Sequence, residues 1–586
     1  MIEKGSILYK FTHYTAILAV LCLSSACFRD RGPQEKKRNI SSLPAVSRPF
    51  SPSTGTHGGE FRLALYDNPQ TLNPLKARDP VSLEVIGFLY EGLAAIDPVT
   101  GRPMPHVAER WEVSADGLTW TFFLRDSLFW SDSTPFSAED VAFTLNEIIY
   151  NEDIRPNYLA RKFRINGKPV DVEILDSTTV CFTLPHPYAP FPHLLTRAFF
   201  PLFSKGFLDG KDIPEILDNQ LSAGIVRREF TRLAPFLTES FVPSHRLTLR
   251  RNPCYWKSDS AGKPLPYFER ISWRIVPDRN QELALFRRAS LDYMALSQRR
   301  LSILTEEAAQ NGYVLFETGD ALQQLALVCN LANASGTGKS LLASPKARRA
   351  LAYALDVDQL IEKIYQGKAT ASRTSLAGHT YFHNPRVQHY SYNASKAASL
   401  LQEAGLTSSD TITLLANSNN AHRRALIDLM AANLNETGTG VRIVEIEQDS
   451  LMRLLHGEEG WDAALIGISV PIDPHFAYDL WHSEGSLHLW NLGPDDDQPD
   501  WQNRIDAIFD SAVTVIDTQM RTRLYNEWQQ LAADYLPIIP LLTPHAMFAI
   551  SSRIKNVYPA PFGGVLHNIE YLYFTQDTYE PADPTK

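Results

Sequence analysis

The chain has 586 residues, which is more than one hydrophobic core usually supports, so at least two domains are expected. Its content of 44% hydrophobic and 21% charged residues is typical of a globular protein. The formal net charge is -10 and no basic domain stands out, which disfavours a nucleic-acid binder, because phosphate recognition needs clustered Lys and Arg.

The first residues have the plan of a signal peptide. Lys4 and Lys10 precede an apolar run at residues 15–26, which ends in small residues before Cys27. The run is too short for a transmembrane helix, which needs about 20 apolar residues. Its last residues, LSSAC, resemble a bacterial lipobox, although Ser24 stands where that pattern places Leu. We therefore expect a lipid on Cys27, with plain secretion as the alternative.

Residues 28–57 are rich in Pro, Ser, Arg and Lys and lack periodic apolar residues. This composition predicts a flexible tether after the anchor, with a disordered end of no role as the alternative.

The cysteines do not form a scaffold. Of the five Cys residues, Cys181, Cys254 and Cys329 remain if the signal peptide is removed and Cys27 carries lipid. Three thiols allow one disulfide at most, and no CxxC pair indicates a zinc site.

The folded part begins near Gly58. Alternating apolar residues at 61–65 predict a strand, and Asp67-Asn68-Pro69 predicts the turn that ends it. Apolar residues at helical spacing predict a helix over residues 81–93.

A hairpin and a capped helix follow. Asp116-Gly117 between residues 111–113 and 118–124 is a strong turn signal for two antiparallel strands. Ser137, with Asp140 three residues later, predicts a helix start of the capping-box kind. Strand and helix signals alternate to the end of the chain, which predicts an α/β fold.

Several motifs, taken in order, resemble the family 5 extracellular solute-binding proteins, which are the oligopeptide, dipeptide and nickel binders of ABC importers. The segments that carry the similarity are Thr71–Pro74, Leu89–Leu93, Pro105–Trp111, Asp116–Thr119, Arg251–Trp256, Arg348–Asp356, Ser395–Gly405 and Leu536–Leu541. Each motif is weak alone, but their order over residues 58–575 is specific.

The resemblance implies an α/β fold of two lobes, the type II periplasmic-binding-protein-like fold, with an extra domain inserted in the first lobe and a ligand enclosed as the lobes close. Lobe I would comprise residues 58–85, 216–317 and 536–586, the inserted domain residues 86–215, and lobe II residues 318–535.

The function that the resemblance implies is a substrate-binding lipoprotein. It would capture an oligopeptide or a peptide-like solute, largely through main-chain hydrogen bonds, and deliver it to ABC permease subunits. We expect an exported monomer, periplasmic or at the cell surface, held to the membrane by its lipid and without a cofactor. A surface signalling or adhesion lipoprotein, a nickel or metal-complex binder and a hydrolase are the alternatives. No His-Glu-x-x-His or Gly-x-Ser-x-Gly motif supports an enzyme.

The resemblance also implies that residues 465–474 face the ligand. Peptide-binding relatives place an Asp at the position of Val470, where it neutralises the amino terminus of the peptide. Because valine cannot pair with an ammonium group, either another acid such as Asp473 takes this role or the ligand lacks a free amine. For Asp473, a turn role before Pro474 is an equal alternative.

The candidate ligand-binding residues fall into two groups, for whose aromatic members core packing is the alternative. They are Ile468, Ser469, Val470 and Asp473 in that stretch, and the aromatic residues Tyr66, Tyr158, Trp481 and Trp490.

Two further patterns predict no site. His379, His383 and His389 could share a metal only on a helix, which Pro385 disfavours, so no metal is expected. Residues 336–340 imitate the end of a phosphate-binding loop, but Asn333 replaces a required glycine, so a polar loop is predicted.

Overall fold

The computed structural model describes residues 50–219, 230–307, 312–331, 341–407, 409–417, 421–455, 461–490 and 498–575. The predicted signal peptide, Cys27, most of the predicted tether and the polar loop at residues 336–340 lie outside the described residues.

The strands are short, apart from one near the end of the chain. In chain order they are β1 (Glu60–Leu65), β2 (Ala94–Ile96), β3 (Pro103–Pro105), β4 (Ala108–Val113), β5 (Thr119–Leu124), β6 (Arg164–Ile165), β7 (Lys168–Pro169), β8 (Asp171–Asp176), β9 (Thr179–Thr183), β10 (Phe236–Val242), β11 (Arg246–Arg251), β12 (Arg270–Ile275), β13 (Tyr293–Ala295), β14 (Tyr313–Asp320), β15 (Gln323–Cys329), β16 (Ala369–Ala371), β17 (Thr411–Asn417), β18 (Gly440–Ile446), β19 (Ala463–Ser469), β20 (Ile538–Ser551), β21 (Ile554–Lys555) and β22 (Tyr573–Phe574).

The longest helices lie in the second half of the chain. In chain order the α-helices are α1 (Pro80–Ile86), α2 (Ala138–Phe143), α3 (Phe191–Leu194), α4 (Lys205–Leu208), α5 (Ile213–Asp218), α6 (Arg279–Arg287), α7 (Gln298–Glu307), α8 (Pro345–Ala354), α9 (Val357–Tyr365), α10 (Ala394–Glu403), α11 (Ala421–Asn435), α12 (Gln448–Leu455), α13 (Tyr478–Trp481), α14 (Asp500–Thr514) and α15 (Thr518–Tyr535). The strand and helix mixture confirms the α/β prediction.

The larger sheets define three bodies. The proximal body (residues 60–93, 201–219, 230–307, 312–320 and 545–575) holds the sheet β1-β12-β11-β10, in which β1 and β12 are parallel. The antiparallel body (residues 94–200) holds the sheet β4-β5-β9-β8. The distal body (the described residues between 323 and 544) holds β15, β19, β17 and β18, which β20 links to β13 in one eight-stranded sheet, with helices on both faces.

Strand β20 joins the proximal and distal bodies. Its first half pairs with β15 and β16, and its second half, from His545 to Ser551, pairs with β13 and β14. The chain also passes between the two bodies from β14 to β15, which run in the same direction along β20 and antiparallel to it. Two extended antiparallel segments therefore cross at the same place.

Local sequence signals explain several elements. Gly117 has φ 72°, which favours glycine, and it closes the turn between β4 and β5 as predicted. The Ser137 hydroxyl accepts from the N–H of Glu139, and the Asp140 carboxylate accepts from the N–H of Ser137, so the capping box of α2 is confirmed.

The helix predicted over residues 81–93 ends earlier, at Ile86. The residues that follow make turns, and Gly92 packs against the backbone of residues 195–197. A Cβ at position 92 would lie 2.6 Å from the carbonyl carbon of Thr196. Close backbone approach thus replaces the last helical turns.

Candidate ligand-binding site

The carboxyl ends of the parallel strands of the distal body lie at one edge of its sheet. Strand β17 runs parallel to both β18 and β19. Strand β15 runs antiparallel to β19, so that Gln323 pairs with Ser469 at this same edge. In open α/β sheets, ligands bind outside the carboxyl ends of the strands. We call Gln323, Arg423, Gly467 and Ser469 the carboxyl edge.

The two faces of β19 differ at this end. Ala464, Ile466 and Ile468 point into a core that contains Trp481 and Trp490. On the other face, Ser469 is exposed and Gly467 is partly exposed, beside the exposed Gln323. The end of β19 therefore offers a polar, accessible strip on one face only.

Arg423, in the first turn of α11, brings a cation to the carboxyl edge. A Cβ built on Gly467 would lie 2.7 Å from Nη2 of Arg423 and 3.3 Å from the side-chain amide of Gln323. Burial lowers the pKa of Arg423, and Tyr365 opposes this. An arginine nevertheless stays protonated in a protein, so the edge is positively charged here.

A polar cluster lies where the chain crosses between the bodies. Lys368 Nζ donates to Glu317 at 2.9 Å, His545 Nδ1 contacts the same carboxylate, and Thr370 Oγ1 lies 2.9 Å from His545 Nε2. Burial would raise the pKa of Glu317, but hydrogen bonds and the charges of Lys368 and His545 lower it. Glu317 and His545 belong to the crossing strands β14 and β20, so the cluster fixes their register.

The antiparallel body touches the distal body directly. Phe199 stacks on Phe476 with centroids 5.8 Å apart, and Tyr188 meets His475 edge-on at 5.2 Å. The N–H of Ala189 donates to the carbonyl of Val513 at 2.7 Å. We call these the closure contacts, because they hold together two bodies that the sheets leave separate.

Asp473 lies just behind the closure contacts and is fully buried. It receives Arg521 in a bidentate pair, with distances of 2.8 and 3.0 Å, and accepts from the N–H of His475 at 3.0 Å. Burial would raise the pKa of Asp473, but the charge of Arg521 lowers it. The prediction that Asp473 binds ligand is corrected, because its carboxylate is engaged and inaccessible, and its cap on residues 474–477 agrees with the turn alternative.

The predicted aromatic contacts divide by burial. Trp481 and Trp490 are fully buried with centroids 5.2 Å apart, so they are core residues and not ligand contacts. Tyr66 is 39% exposed at the end of β1, beside the guanidinium of Arg279. Tyr158 is partly buried against Arg78, whose guanidinium carbon lies 3.6 Å from the ring centroid. Ligand contact by Tyr66 and Tyr158 stays a prediction.

The candidate residues at the end of β19 also divide into buried and accessible side chains. The side chains of Ile468 and Val470 are buried, which contradicts side-chain contact with a ligand. Ser469 points to the accessible face and stays a candidate. Gly467, from the same predicted stretch, lies beside it, and the structure adds Gln323 and Arg423, which the sequence reasoning missed. The strand-then-helix pattern at residues 411–435 was the available signal, because it places the first turn of the helix at the carboxyl edge.

The three histidines considered for a metal do not come together. His379 packs on Phe562, with its centroid 4.7 Å away. His389 lines a separate cavity of about 390 Å³ that also contains Arg373. Burial lowers the pKa of His379, His383 and His389. Within the described ranges, no three His, Cys, Asp or Glu residues are placed to hold a metal ion.

The described cysteines and helices add two facts. Cys181, Cys254 and Cys329 are free thiols. Among the helices that the structure describes, none combines the length and apolar character needed to cross a membrane.

Known proteins resemble the chain in sequence and in fold. The profile of the bacterial extracellular solute-binding proteins, family 5 Middle, matches residues 102–487. A probable ABC transporter-binding protein from Deinococcus radiodurans is 26% identical, covering 86% of this chain and 90% of that protein. The glutathione-binding protein GsiB of Salmonella paratyphi A is 24% identical, covering 86% and 92%.

The fold comparison agrees. The ABC transporter substrate-binding protein CtaP of Listeria monocytogenes superposes with a TM-score of 0.75 and 23% identity, covering 89% of this chain and 100% of that one. The two-lobed type II fold predicted from the motifs is thereby confirmed. The chain belongs to family 5 of the bacterial extracellular solute-binding proteins, which are binding components of ABC importers and not enzymes.

Proposed function

We propose that this protein captures an oligopeptide or a peptide-like solute between its lobes and delivers it to the permease of an ABC importer. The accessible end of β19, with Ser469 beside Gln323, carries the proposal, since it presents polar groups at the edge where ligands bind in such sheets. A relative that binds glutathione, which is itself a tripeptide, supports this ligand class.

In this proposal, the two lobes have the boundaries that were predicted from the sequence. Residues 58–85, 216–317 and 536–586 would form lobe I, residues 86–215 its inserted domain, and residues 318–535 lobe II. The two crossing segments, β20 and the connection from β14 to β15, fit a hinge, because a few residues there would absorb the motion. Native mass spectrometry of freshly purified protein tests the function. A co-purified peptide would support the proposal, whereas a bound species of other chemistry would contradict it.

The proposed lipid anchor gives a cellular prediction. Cys27→Ala is expected to move the protein from the membrane fraction to the soluble fraction, because one cysteine would carry the whole acyl anchor. Fractionation of cells with immunoblotting measures the change, and Cys22→Ala is the matched control. A Cys27→Ala protein that stays with membranes would show that the anchor lies elsewhere.

The surroundings of Val470 predict tolerance of ligands without an amine. Val470 is buried and apolar, and Asp473 is already paired with Arg521, so neither is available to an ammonium group. An N-acetylated peptide is therefore expected to bind at least as tightly as the same peptide with a free amine. Titration calorimetry with one peptide in both forms makes the comparison.

One carboxylate near the crossing, that of Asp320, would reverse this result if it paired with the amine of the peptide. Asp320 lies at the end of β14, and its carboxylate accepts from the N–H of Gly378 at 3.3 Å. If this carboxylate pairs with the amine, acetylation should weaken binding a hundredfold or so, about 2.7 kcal/mol. Asp320→Asn would then lose the preference for the free amine.

A further inference from the structure

A run of cations covers one hairpin of the antiparallel body and the turns that precede it. Residues 154–170, which we call the basic hairpin, contain no acid, although the chain as a whole has a formal net charge of -10. The cations are Arg155, Arg161, Lys162, Arg164 and Lys168. All five residues are exposed, and none is ion-paired with a carboxylate of the described residues. Such a run on an acidic protein fits an anionic partner.

The local fold turns these cations outward. Strands β6 and β7 are joined by Asn166 and Gly167, both with positive φ, as a two-residue hairpin turn of this kind requires. Beneath the hairpin, Phe163, Ile165 and Val170 are buried in the core of the antiparallel body. The apolar residues therefore hold the hairpin in place while the charged residues face solvent.

Two of the arginines, Arg155 and Arg164, line a surface cavity of about 360 Å³. The guanidinium carbon of Arg164 lies 5.5 Å from the ring centroid of Tyr150, whose hydroxyl donates to the carbonyl of Phe163 at 2.7 Å. Arg155 Nε donates to the carbonyl of Glu152 at 2.7 Å. Glu152 is the acid among the lining residues, so the two guanidiniums outweigh its carboxylate. Guanidinium groups bind phosphate oxygens through parallel N–H donors, so the cavity suits a phosphate ester.

We propose that the basic hairpin docks on the phosphate groups of anionic phospholipids at the membrane surface. A membrane is the occupant because the proposed lipid on Cys27 and the predicted tether of residues 28–57 keep the body beside one. A flexible chain of this length spans roughly 30 Å. Clustered Lys and Arg are attracted to an anionic leaflet, whereas the acidic remainder of the protein is repelled by it. Docking would therefore orient the body on the membrane.

The inference goes beyond the proposed function, because it concerns the membrane and not the solute. The contact is electrostatic and weakened by salt, so it is reversible and does not replace the lipid anchor.

Hydrogen–deuterium exchange of the full-length protein measures the docking. The protein is mixed with protein-free vesicles of phosphatidylcholine, either alone or with phosphatidylglycerol, and exchange is measured in peptides that cover the basic hairpin. Slower exchange is expected only on the vesicles that contain phosphatidylglycerol, and high salt should abolish it. Vesicles without protein separate a lipid surface from an acidic protein partner.

Two paired substitutions assign the docking to these cations. Arg155→Gln with Arg164→Gln removes the cations of the cavity, and Arg161→Gln with Lys162→Gln removes two cations beside it. Each pair should weaken docking about 25-fold, because one cation contributes about fivefold near an anionic leaflet. Unchanged exchange in β5 and β9 shows that each variant is folded.

The matched control removes the same amount of charge elsewhere. Arg110→Gln with Arg504→Gln takes two exposed cations from their pairs with Glu112 and Glu527. This variant should dock as the wild type does, since neither residue belongs to the basic hairpin.

The other outcomes contradict the inference and leave the proposed function standing. Equal exchange on both kinds of vesicle would do so, as would slowing that both paired substitutions leave intact. If the control loses the slowing as fully, net charge and not the basic hairpin governs the contact. If soluble glycerol phosphate slows exchange as much as the anionic vesicles do, the cavity takes a free phosphate ester, and membrane docking is wrong.

Discussion

Replacing Arg521 with alanine is expected to lower the free energy of unfolding by about 3–5 kcal/mol. The Arg521 side chain is 6% exposed and that of Asp473 is fully buried, so the substitution leaves a carboxylate in the interior without its counter-charge. Arg521 Nε also donates to the carbonyl of Ala512 at 3.0 Å, and that bond is lost as well. The cost comes mainly from the stranded charge.

Denaturant unfolding followed by tryptophan fluorescence measures this loss. Trp481, Trp490 and Trp528 share a core with Tyr525, over whose ring Arg521 lies, so they report on the distal body. The matched control is Arg504→Ala, which removes an exposed bidentate pair with Glu527 on the neighbouring helices α14 and α15. Exposed pairs contribute about 0–1 kcal/mol, so the control should unfold nearly as the wild type does.

A double variant tests the stated cause. Asp473→Asn together with Arg521→Met removes both charges, and the Asn side chain can still accept from the N–H of His475. The double variant should be more stable than Arg521→Ala alone, because no unpaired charge remains. Equal destabilisation in both would mean that lost packing, and not the stranded carboxylate, sets the cost.

Local signals predicted the elements whose determinants lie within a few residues. The turn at Asp116-Gly117 and the capping box at Ser137 need only a glycine with positive φ and two side-chain hydrogen bonds, so both were predicted from the sequence. The helix over residues 81–93 was predicted too long. The residues after Ile86 instead make turns, and Gly92 packs against the backbone of residues 195–197, about a hundred residues away in sequence, a contact that local signals do not reveal.

The candidate site shows the same difference between features set by nearby residues and features set by distant ones. The resemblance directed attention to residues 465–474, and Ser469 does lie on the accessible face. Asp473 was ambiguous because its partner, Arg521, is 48 residues distant, and only the fold shows that they meet. Arg423 was missed for the same reason, since its position over Gly467 depends on how α11 packs on the sheet.

Acidification is expected to weaken ligand binding by opening the closure contacts. His193 is buried between the two bodies, near the backbone carbonyls of Gly101 and Pro190. His475 is partly exposed, but its Nδ1 is inaccessible and without a described partner. The rings pack on Phe476 and Tyr188 respectively, between the antiparallel and distal bodies.

Burial favours the neutral forms of both rings, while the charges around them act in both directions. Burial lowers the pKa of His475 to about 4, the charges of Arg521 and Lys162 act in the same direction, and that of Asp473 opposes them. Burial likewise lowers the pKa of His193, again with Asp473 opposing and Arg521 assisting. Burial also raises the pKa of Tyr188 and Tyr381, which therefore stay neutral throughout.

The direction of the pH effect follows from these shifts. Above pH 6.5, the ordinary pKa of histidine, both rings are neutral whether the bodies are closed or open, so closing has no proton cost. Below that value, an open form with hydrated rings binds protons that the closed form excludes. Closing then costs about 1.4 kcal/mol per pH unit for each histidine, down to about pH 4 for His475.

Ligand affinity should therefore fall about tenfold between pH 7.5 and pH 5.5 for one such histidine, and further if both take part. Titration calorimetry with the co-purified ligand, in two buffers of different ionisation enthalpy, measures both the affinity and the protons released on closing. His475→Phe keeps an aromatic ring against Tyr188 without a titrating group, so it should flatten the profile. His245→Gln, at an exposed histidine outside the closure contacts, should leave the profile unchanged. If the profile of His475→Phe and that of His193→Phe both match the wild type, other groups control the pH dependence.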